Sequence, residues 1–513
     1  MDHCECCSRR RFLARCAACV GSITAGGLVV PLRAAETGAR KPRIRLVFCE
    51  TSNDKPIWPN IGYDFETRRK QLAEVLTRGC PGIEFLSSVL MDKPEEADGL
   101  LQDDAAVDGY LVCVQGLGWR NDIVKLCATG KPTLLADNLY GGSGLFLTKL
   151  PVIVRAEKPV DWVSSSRDED IVASARQFAL LKRGRSAAEV AAAFRAARHG
   201  RTPEIKDWKC LPDEVPTPDF EGTLRRLREM KLVVVGGGRG GPAFIEATRE
   251  TVGMDLVQVP FEELAAAYRE ADRESAAKFA SAWAEGAESA VGIARAELER
   301  CGAMYGAMKS LISKHGACGI SVNCLGGFYG GHMEAYPCLG FSQLNNDGLV
   351  GGCEADQMSA LTMAVFGALV GRPGYISDPV IDTSKNEIIY AHCVGMTKAF
   401  GPKGKANPYH IRTHSEDRKG AAIQSLLPAG YMTTTVELNP VTKQVLMHQA
   451  KTTGNSDSDM ACRTKLRAAV KGDIERLTEE WRMGWHRVTF YGDIKDVVAE
   501  LSQRLKFELI QEA

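Results

Sequence analysis

The strongest constraint on the fold is an alternation of short apolar runs with stretches of helical spacing. In the first part of the chain helical spacing covers residues 65–78, and the apolar runs are 44–48, 83–86, 109–113 and 132–135. Strands separated by helix-length patterns are typical of βαβ units with a parallel sheet. The alternation predicts a first α/β domain over residues 36–200, which ends after an Ala-rich helix with a capping box at Ser186.

The same alternation returns after a polar, proline-bearing connector that begins at residue 201. Residues 232–235 and 319–322 read as strands, and residues 262–300 form a long helical region. These features predict a second α/β domain over residues 201–375.

Strand-like runs dominate the last part of the chain, with helical stretches expected only at 464–482 and 495–506. This change of pattern predicts a mostly β C-terminal domain over residues 376–513. The expected fold class is therefore α/β, with two Rossmann-like parallel-sheet units followed by a mostly β domain.

The charge balance excludes one class of function. Lys and Arg number 64, Asp and Glu also number 64, and the formal net charge is zero. A nucleic-acid-binding protein needs a basic excess or a basic stripe to neutralise phosphates. We therefore expect no nucleic-acid partner.

The N-terminus predicts an export signal. Residues 8–13 read Ser-Arg-Arg-Arg-Phe-Leu, a weakly apolar stretch covers 16–30, and small residues at 32–36 offer a cleavage site. A twin arginine before a short apolar region is typical of a Tat signal peptide. Residues 1–35 are thus expected to direct the chain through the Tat export machinery to the periplasm, or otherwise out of the cytoplasm.

A glycine cluster follows the strand at 232–235. Gly236, Gly238 and Gly241 satisfy the G-x-G-x-x-G pattern of dinucleotide sites. The next strand, at 257–260, ends without the acidic residue that would bind a ribose. The cluster is therefore interpreted as a tight turn that needs glycine for backbone reasons, and no cofactor-binding residues are predicted.

Histidines and acids mark the candidate site. Seven of the nine histidines lie after residue 300, among them His392 at a strand end and His486 just before a strand. Glu354 and Asp356 follow a glycine-flanked apolar stretch and precede a helix. Such paired acids suit a hard cation, but Asp356 can equally be the N-cap of the helix, and the local sequence leaves both readings open.

A family resemblance covers this region. The residues that carry it, in chain order, are 337–348, 353–356, 360–363, 371–373, 391–393, 413–415, 485–487 and 491–493. They resemble the signature of the L-fucose isomerase/L-arabinose isomerase superfamily, in particular its shorter fucose-isomerase-like branch. The resemblance is dense over about 320–495 and weaker, but in the same order, in the two N-terminal units.

The resemblance implies a site and an assembly. It implies a divalent cation, commonly Mn²⁺, in a pocket between the subunits of a homo-oligomer. The metal ligands carried over are Glu334, Asp356 and His486. The catalytic acids carried over are Glu334 and Asp356, with Glu354 beside them, and the substrate-binding residues are His392, His414 and Trp485.

The function implied is metal-dependent aldose–ketose isomerisation of an open-chain sugar, with carboxylates moving a proton through an ene-diolate. Two alternatives stay open. One is an exported carbohydrate hydrolase or lyase that reuses the same pocket, and the other is a non-catalytic sugar-binding protein. A metal site that includes Glu334 favours the isomerase, whereas an open groove with only Glu354 and Asp356 favours a hydrolase or lyase.

Overall fold

The structure, a computed structural model, describes residues 40–513 except residues 92, 94, 119–121 and 291. The predicted leader, residues 1–35, lies outside the described residues and stays a prediction. Within the described part of the chain, every helix is too short or too polar to cross a membrane.

Five parallel strands and the helices between them form the first sheet. The strands are β1 Arg43–Cys49, β2 Glu84–Leu90, β3 Gly109–Val114, β4 Thr133–Asp137 and β5 Val160–Ser164. The helices are α1 Phe65–Gly79, α2 Glu96–Leu101, α3 Asp122–Cys127, α4 Ser143–Arg155, α5 Asp168–Ala175 and α6 Ala187–His199, with 3₁₀ turns at Asp104–Ala106 and Arg176–Arg183. The strand order is β2-β1-β3-β4-β5. Helix α6 begins at the predicted capping box of Ser186 and Glu189.

A second parallel sheet follows the irregular connector. Its region contains β6 Lys231–Val235, β7 Asp255–Val259, β8 Ser289–Ala290, β9 Gly319–Val322 and β10 Val350–Cys353. The helices are α7 Phe220–Leu227, α8 Gly241–Thr251, α9 Phe261–Arg269, α10 Arg273–Gly286, α11 Arg295–His315, α12 Cys324–Tyr329, α13 Cys338–Asn346 and α14 Gln357–Val370. The sheet order is β10-β9-β6-β7, so the strand order of the first sheet is largely repeated. The predicted helical region 262–300 is divided among α9, α10 and the start of α11.

The C-terminal region forms an antiparallel β-barrel. Its elements are β11 Tyr375–Asp382, β12 Glu387–His392, β13 Tyr409–Arg412, β14 Ala422–Ser425, β15 Met432–Asn439, β16 Gln444–Asn455, β17 Thr464–Lys471, α15 Ile474–Glu479, β18 Arg487–Tyr491, α16 Lys495–Leu505 and β19 Glu508–Gln511. Six strands run in the order β15-β18-β11-β12-β17-β16, and β15 pairs with β16 to close the barrel. Strand β19 adds to β16 in parallel, and β8, β13 and β14 form a small separate sheet.

One predicted helix is wrong. Residues 464–482 were expected to be helical, but Thr464–Lys471 is strand β17, and only Ile474–Glu479 is helical. Strand β17 pairs with β12 on one side and β16 on the other, so the barrel's hydrogen bonds override the local helical pattern.

The three sheets share two apolar cores. One core joins the second sheet to the barrel, and the other joins the first sheet to the barrel through residues such as Trp162, Ile388 and Leu466. Residues Lys41–Ala513 form one compact unit. The domain boundaries at 200 and 375 therefore stay predictions. This packing brings the carboxyl end of β10 to the barrel strands β11, β12 and β18.

Candidate metal centre

A strained turn after β10 presents the first acid of the site. Glu354 and Ala355 have φ angles of 60° and 47°, in the left-handed region that non-glycine residues rarely adopt. Asp356 ends the turn and caps α14, because its carboxylate accepts hydrogen bonds from the backbone N–H groups of Met358 and Ser359 at 3.0 and 3.1 Å. The turn directs the Glu354 side chain toward the barrel, where it also accepts a 3.1 Å hydrogen bond from Arg239.

Three barrel strands supply the other members. Asp378 of β11 pairs with Ala391, the neighbour of His392, and Ser377 pairs with Arg487, the neighbour of His486. His392 Nδ1 lies 3.0 Å from Asp378 Oδ2, and His486 Nε2 lies 3.0 Å from Asp378 Oδ1. The antiparallel register thus places one acid between two histidines.

These side chains form a candidate metal group, a set of residues that can hold a cation. Glu354, Asp378, His392 and His486 each offer one ligand atom, and the four atoms lie within 4.8 Å of one another. His392 Nε2 is buried and has no hydrogen-bond partner among the described residues. Because a buried polar atom without a partner is costly, a ligand for this nitrogen is expected. Two carboxylates and two imidazoles are donors that divalent ions such as Mn²⁺ and Zn²⁺ accept, so the residues fit a metal.

Asp356 contacts the group through a hydrogen bond with His486. His486 Nδ1 donates to Asp356 Oδ2 at 2.8 Å, which directs the other ring nitrogen toward Asp378 and Glu354. A carboxylate behind a histidine fixes the orientation of a metal-binding ring. Burial disfavours a charged imidazole, but the nearby carboxylates outweigh burial and hold the pKa of His486 well above its usual value. Burial raises the pKa of Asp356. The hydrogen bond and the charge of His486 lower it by more, so the net pKa is about 2.

The structure brings together part of the site inferred from the resemblance. Glu354, His392 and His486 belong to the four-residue group, and Asp356 contacts it through His486. Glu334 is exposed and lies outside the group. Asp356 contacts the group as the hydrogen-bond partner of His486, and the group itself includes neither residue. The metal-binding roles assigned to Glu334 and Asp356 therefore stay predictions.

The two other residues predicted to bind substrate differ in their surroundings. Trp485 is half-buried beside His486, donates to the Pro379 carbonyl at 2.9 Å and packs edge-on against Trp58 at 4.9 Å between ring centres. His414 is buried and lies 3.2 Å from the Asp417 carboxylate, in the segment that also carries Glu416. Substrate binding by His392, His414 and Trp485 stays a prediction.

Sequence reasoning missed Asp378. Asp378 lies inside strand β11, which is buried along its whole length, and directly precedes Pro379; a charged residue in a fully buried strand is a detectable signal.

The glycine cluster forms a turn beside the metal group. Gly236 and Gly241 have φ angles of 79° and 61°, which favour glycine. A side chain at Gly238 would overlap the Gln357 amide, because a Cβ atom there would lie 1.7 Å from its nitrogen. The turn carries Arg239, whose guanidinium binds Glu354 on the exposed side of the group.

The chain is similar in sequence to known sugar isomerases. It is 26% identical over 297 residues to a sulfoquinovose isomerase of Clostridium sp. (strain MSTE9), a match that spans 55% of this chain and 65% of the relative. It is 24% identical over 299 residues to sulfoquinovose isomerases of Priestia aryabhattai and Priestia megaterium, each match spanning 56% of this chain and 65% of the relative. No protein-family model matches the chain.

Proposed function

We propose that the chain is a metal-dependent aldose–ketose isomerase that acts on an open-chain sugar. The observation that carries the proposal is the group of Glu354, Asp378, His392 and His486, of which the last three are buried and which suits a divalent ion. The similarity to sulfoquinovose isomerases supports isomerisation over the hydrolase, lyase and non-catalytic alternatives.

In this proposal the four residues of the group hold the ion, and Asp356 orients His486. The set differs from the one implied by the resemblance, because neither Glu334 nor Asp356 is a ligand in it. A bound divalent ion stabilises negative charge on the oxygens of a carbonyl substrate, which lowers the barrier to removal of the adjacent C–H proton. Mn²⁺ is the first ion to test, since it accepts both carboxylate and imidazole ligands.

We further propose that sulfoquinovose, a sugar that carries a sulfonate group, is the first substrate to assay. Its support is the name of the relatives together with Arg239, whose side chain is 58% exposed on the solvent side of Glu354. A guanidinium beside the site attracts an anionic sugar. Export by the Tat route and assembly into a homo-oligomer stay predictions.

The test is turnover with a defined ion. The purified chain is freed of metal with a chelator, reloaded with Mn²⁺ and incubated in D₂O with sulfoquinovose and with a panel of neutral aldoses. NMR should detect a ketose, with deuterium at C1 of the ketose or C2 of the aldose. His486→Ala should abolish ion binding, and the exposed His332→Ala serves as the matched control. Absence of ketose from every sugar would reject the proposal.

A further inference from the structure

Two buried cysteines lie in contact directly beside the metal group. Cys353 is the last residue of β10 and immediately precedes Glu354. Its sulfur lies 3.3 Å from the sulfur of Cys324, the first residue of α12. Strands β9 and β10 are parallel neighbours in which Val322 lies opposite Cys353, so both cysteines stand at the same edge of the sheet. The pairing of the two strands thus brings the thiols together.

The contact is close enough for a covalent bond to form after a small movement. A disulfide joins its two sulfurs at about 2 Å, so the present 3.3 Å separation has to shorten only slightly. Cys324 and Cys353 are free thiols with 2% and 5% of their surface exposed. Because oxidation of a thiol depends on access, such burial favours an oxidant close in size to water over a bulky one.

We propose that Cys324 and Cys353 form a redox-sensitive cross-link, in which a hydroperoxide oxidises the two thiols to a disulfide and the new bond lowers the affinity of the metal group for its ion. The effect on the ion rests on the proposed function. Formation of the cross-link itself does not, since it depends only on the contact between the two thiols.

The oxidation balances in two steps, with hydrogen peroxide as the hydroperoxide. One sulfur, as its thiolate, attacks the O–O bond and becomes a sulfenic acid, and the other oxygen leaves as water. The second thiol then attacks the sulfenic sulfur, so that the S–S bond forms and a second water leaves. The two thiols lose two electrons and two protons, and the same two electrons reduce the peroxide. A dithiol reductant restores both thiols by thiol–disulfide exchange.

The position of Glu354 depends on the side from which the sulfurs approach. The Cys324 side is held by the preceding residue, Asn323, whose backbone N–H donates to the Val235 carbonyl at 3.0 Å. The Cys353 side leads into the strained turn in which Glu354 has a φ angle of 60°. We therefore expect most of the movement at Cys353, and a close-packed interior transmits such a movement to the adjacent residue. The cross-link thus displaces the Glu354 carboxylate from the other three donors.

The coupling between cross-link and ion works in both directions. If the disulfide lowers the affinity for Mn²⁺ by a given factor, bound Mn²⁺ must disfavour the disulfide by the same factor. Disturbing a group that supports a metal ligand typically costs about 10–100-fold in affinity, and we expect an effect of this size.

The test maps the cross-link and measures the ion in the same samples. The purified full chain is treated with hydrogen peroxide, free thiols are alkylated, and peptides are analysed by mass spectrometry with and without a reductant. Wild type should yield peptides joined through Cys324 and Cys353, and its dissociation constant for Mn²⁺ should rise about 10–100-fold and return on reduction. Cys324→Ala should keep its Mn²⁺ affinity after peroxide. In a glutathione redox buffer, saturating Mn²⁺ should lower the ratio of disulfide to dithiol by the same factor as the loss of affinity.

The matched control is a buried cysteine away from the metal group. Cys80 lies at the end of α1, and its thiol contacts the Val172 carbonyl at 3.8 Å. Cys80→Ala should form the cross-link and lose Mn²⁺ affinity as wild type does. The peptide map also distinguishes another pair of cysteines, Cys393 and Cys462, whose sulfurs lie 3.6 and 3.8 Å from the hydroxyl of Ser415.

Three outcomes would contradict the inference. If Cys324 and Cys353 stay open to alkylation after peroxide, or if peroxide joins other cysteines instead, the cross-link is wrong. If the cross-link forms and the affinity for Mn²⁺ is unchanged, its effect on the ion is wrong. Each of these results leaves the proposed function intact. Absence of Mn²⁺ binding by the fully reduced protein would instead overturn the proposed function and, with it, the effect on the ion.

Discussion

At the scale of single residues, Asp356 performs two tasks with one carboxylate. One oxygen caps α14 and the other accepts from His486 Nδ1. Asparagine is as good a helix cap as aspartate, but it lacks the charge that holds the imidazole. We expect Asp356→Asn to keep helix stability and to weaken Mn²⁺ binding by about 10–100-fold, the usual effect of removing such a supporting group. Competition with a chelator measures the dissociation constant, and thermal unfolding measures stability.

The control for this variant is another capping aspartate. Asp473 caps α15 through the backbone N–H groups of Glu475 and Arg476, and it is not part of the metal group. Asp473→Asn should leave the dissociation constant of Mn²⁺ unchanged. Equal Mn²⁺ affinity of Asp356→Asn and wild type would show that the His486 hydrogen bond does not support the ion.

His414 is expected to make stability depend on pH. Burial lowers its pKa, but Asp417, which shares a hydrogen bond with it, together with the charges of Cys393 and Glu416, raises the pKa to about 9 from 6.5. Because the folded pKa is raised, the stabilisation is complete below pH 6.5 and is lost as the pH rises through 9. At about 1.4 kcal/mol per pKa unit, the loss in the free energy of unfolding is at most about 3.5 kcal/mol.

Denaturant unfolding between pH 6 and 10 measures this effect. His414→Gln should flatten the fall in the free energy of unfolding, whereas His410→Gln, a change to a half-buried histidine of β13, should not. A wild-type curve parallel to that of His414→Gln across this range would contradict the raised pKa.

Part of the site was predictable from single residues. Glu354, His392 and His486 stand at the ends of apolar runs, where side chains converge at a sheet edge, and the histidine excess pointed to the same region. Asp378 was not predictable in this way, because its position between two histidines depends on the register of β11 with β12 and β18. The pairing of β11 with β18, which lies far away along the chain, is not written in the local sequence.

At the scale of elements, α4 of the first sheet sets the position of Trp485. A side chain at Gly144 would lie 2.6 Å from the Trp485 ring, so only glycine lets the indole pack here. We expect Gly144→Ala to displace the Trp485 ring and the adjacent His486, and thus to weaken Mn²⁺ binding. This effect is expected even though α4 belongs to the first sheet and contributes no residue to the metal group. Isothermal titration with Mn²⁺ checks this expectation.

Gly306→Ala in α11 is the matched control. The nearest atom to a Cβ at Gly306 lies 3.9 Å away, so the substitution fits without displacement. It should stabilise the protein by about 0.5–1 kcal/mol, as alanine does in a helix, and leave Mn²⁺ binding unchanged. Stabilisation by Gly144→Ala with full Mn²⁺ affinity would show that the indole can move without affecting the site.

Strands of the two parallel sheets that are covered on both faces were predictable, because they appear as continuous apolar runs. For example, all residues of β3 are buried, and the sequence predicted a strand at 109–113. Closure of the barrel was not predictable. It depends on β15 pairing with both β16 and β18, a non-local arrangement that also turned the expected helix at 464–482 into β17.

At the scale of the whole molecule, the metal group joins the second sheet to the barrel, since Glu354 follows β10 and the other members lie on or beside barrel strands. An ion that binds only the folded chain stabilises it by about 2.7 kcal/mol at a hundred times its dissociation constant. We expect Mn²⁺ to raise the melting temperature of the chelator-treated protein in a concentration-dependent way. Scanning calorimetry should show no such rise for Asp378→Asn combined with His392→Gln, whereas a rise equal to that of wild type would place the ion elsewhere.

The hairpin of β11 and β12 also determines the order in which the donors meet. Asp378 and His392 are 14 residues apart along the chain, whereas the contact of Asp356 with His486 spans 130 residues. Loop closure costs about 0.6 kcal/mol more for each doubling of length, so the hairpin pair assembles at the lower entropic cost. In the proposed metal enzyme, an ion present during synthesis would therefore meet these two donors well before His486 has left the ribosome. Capture of the ion by the hairpin would then compete with closure of the barrel around it.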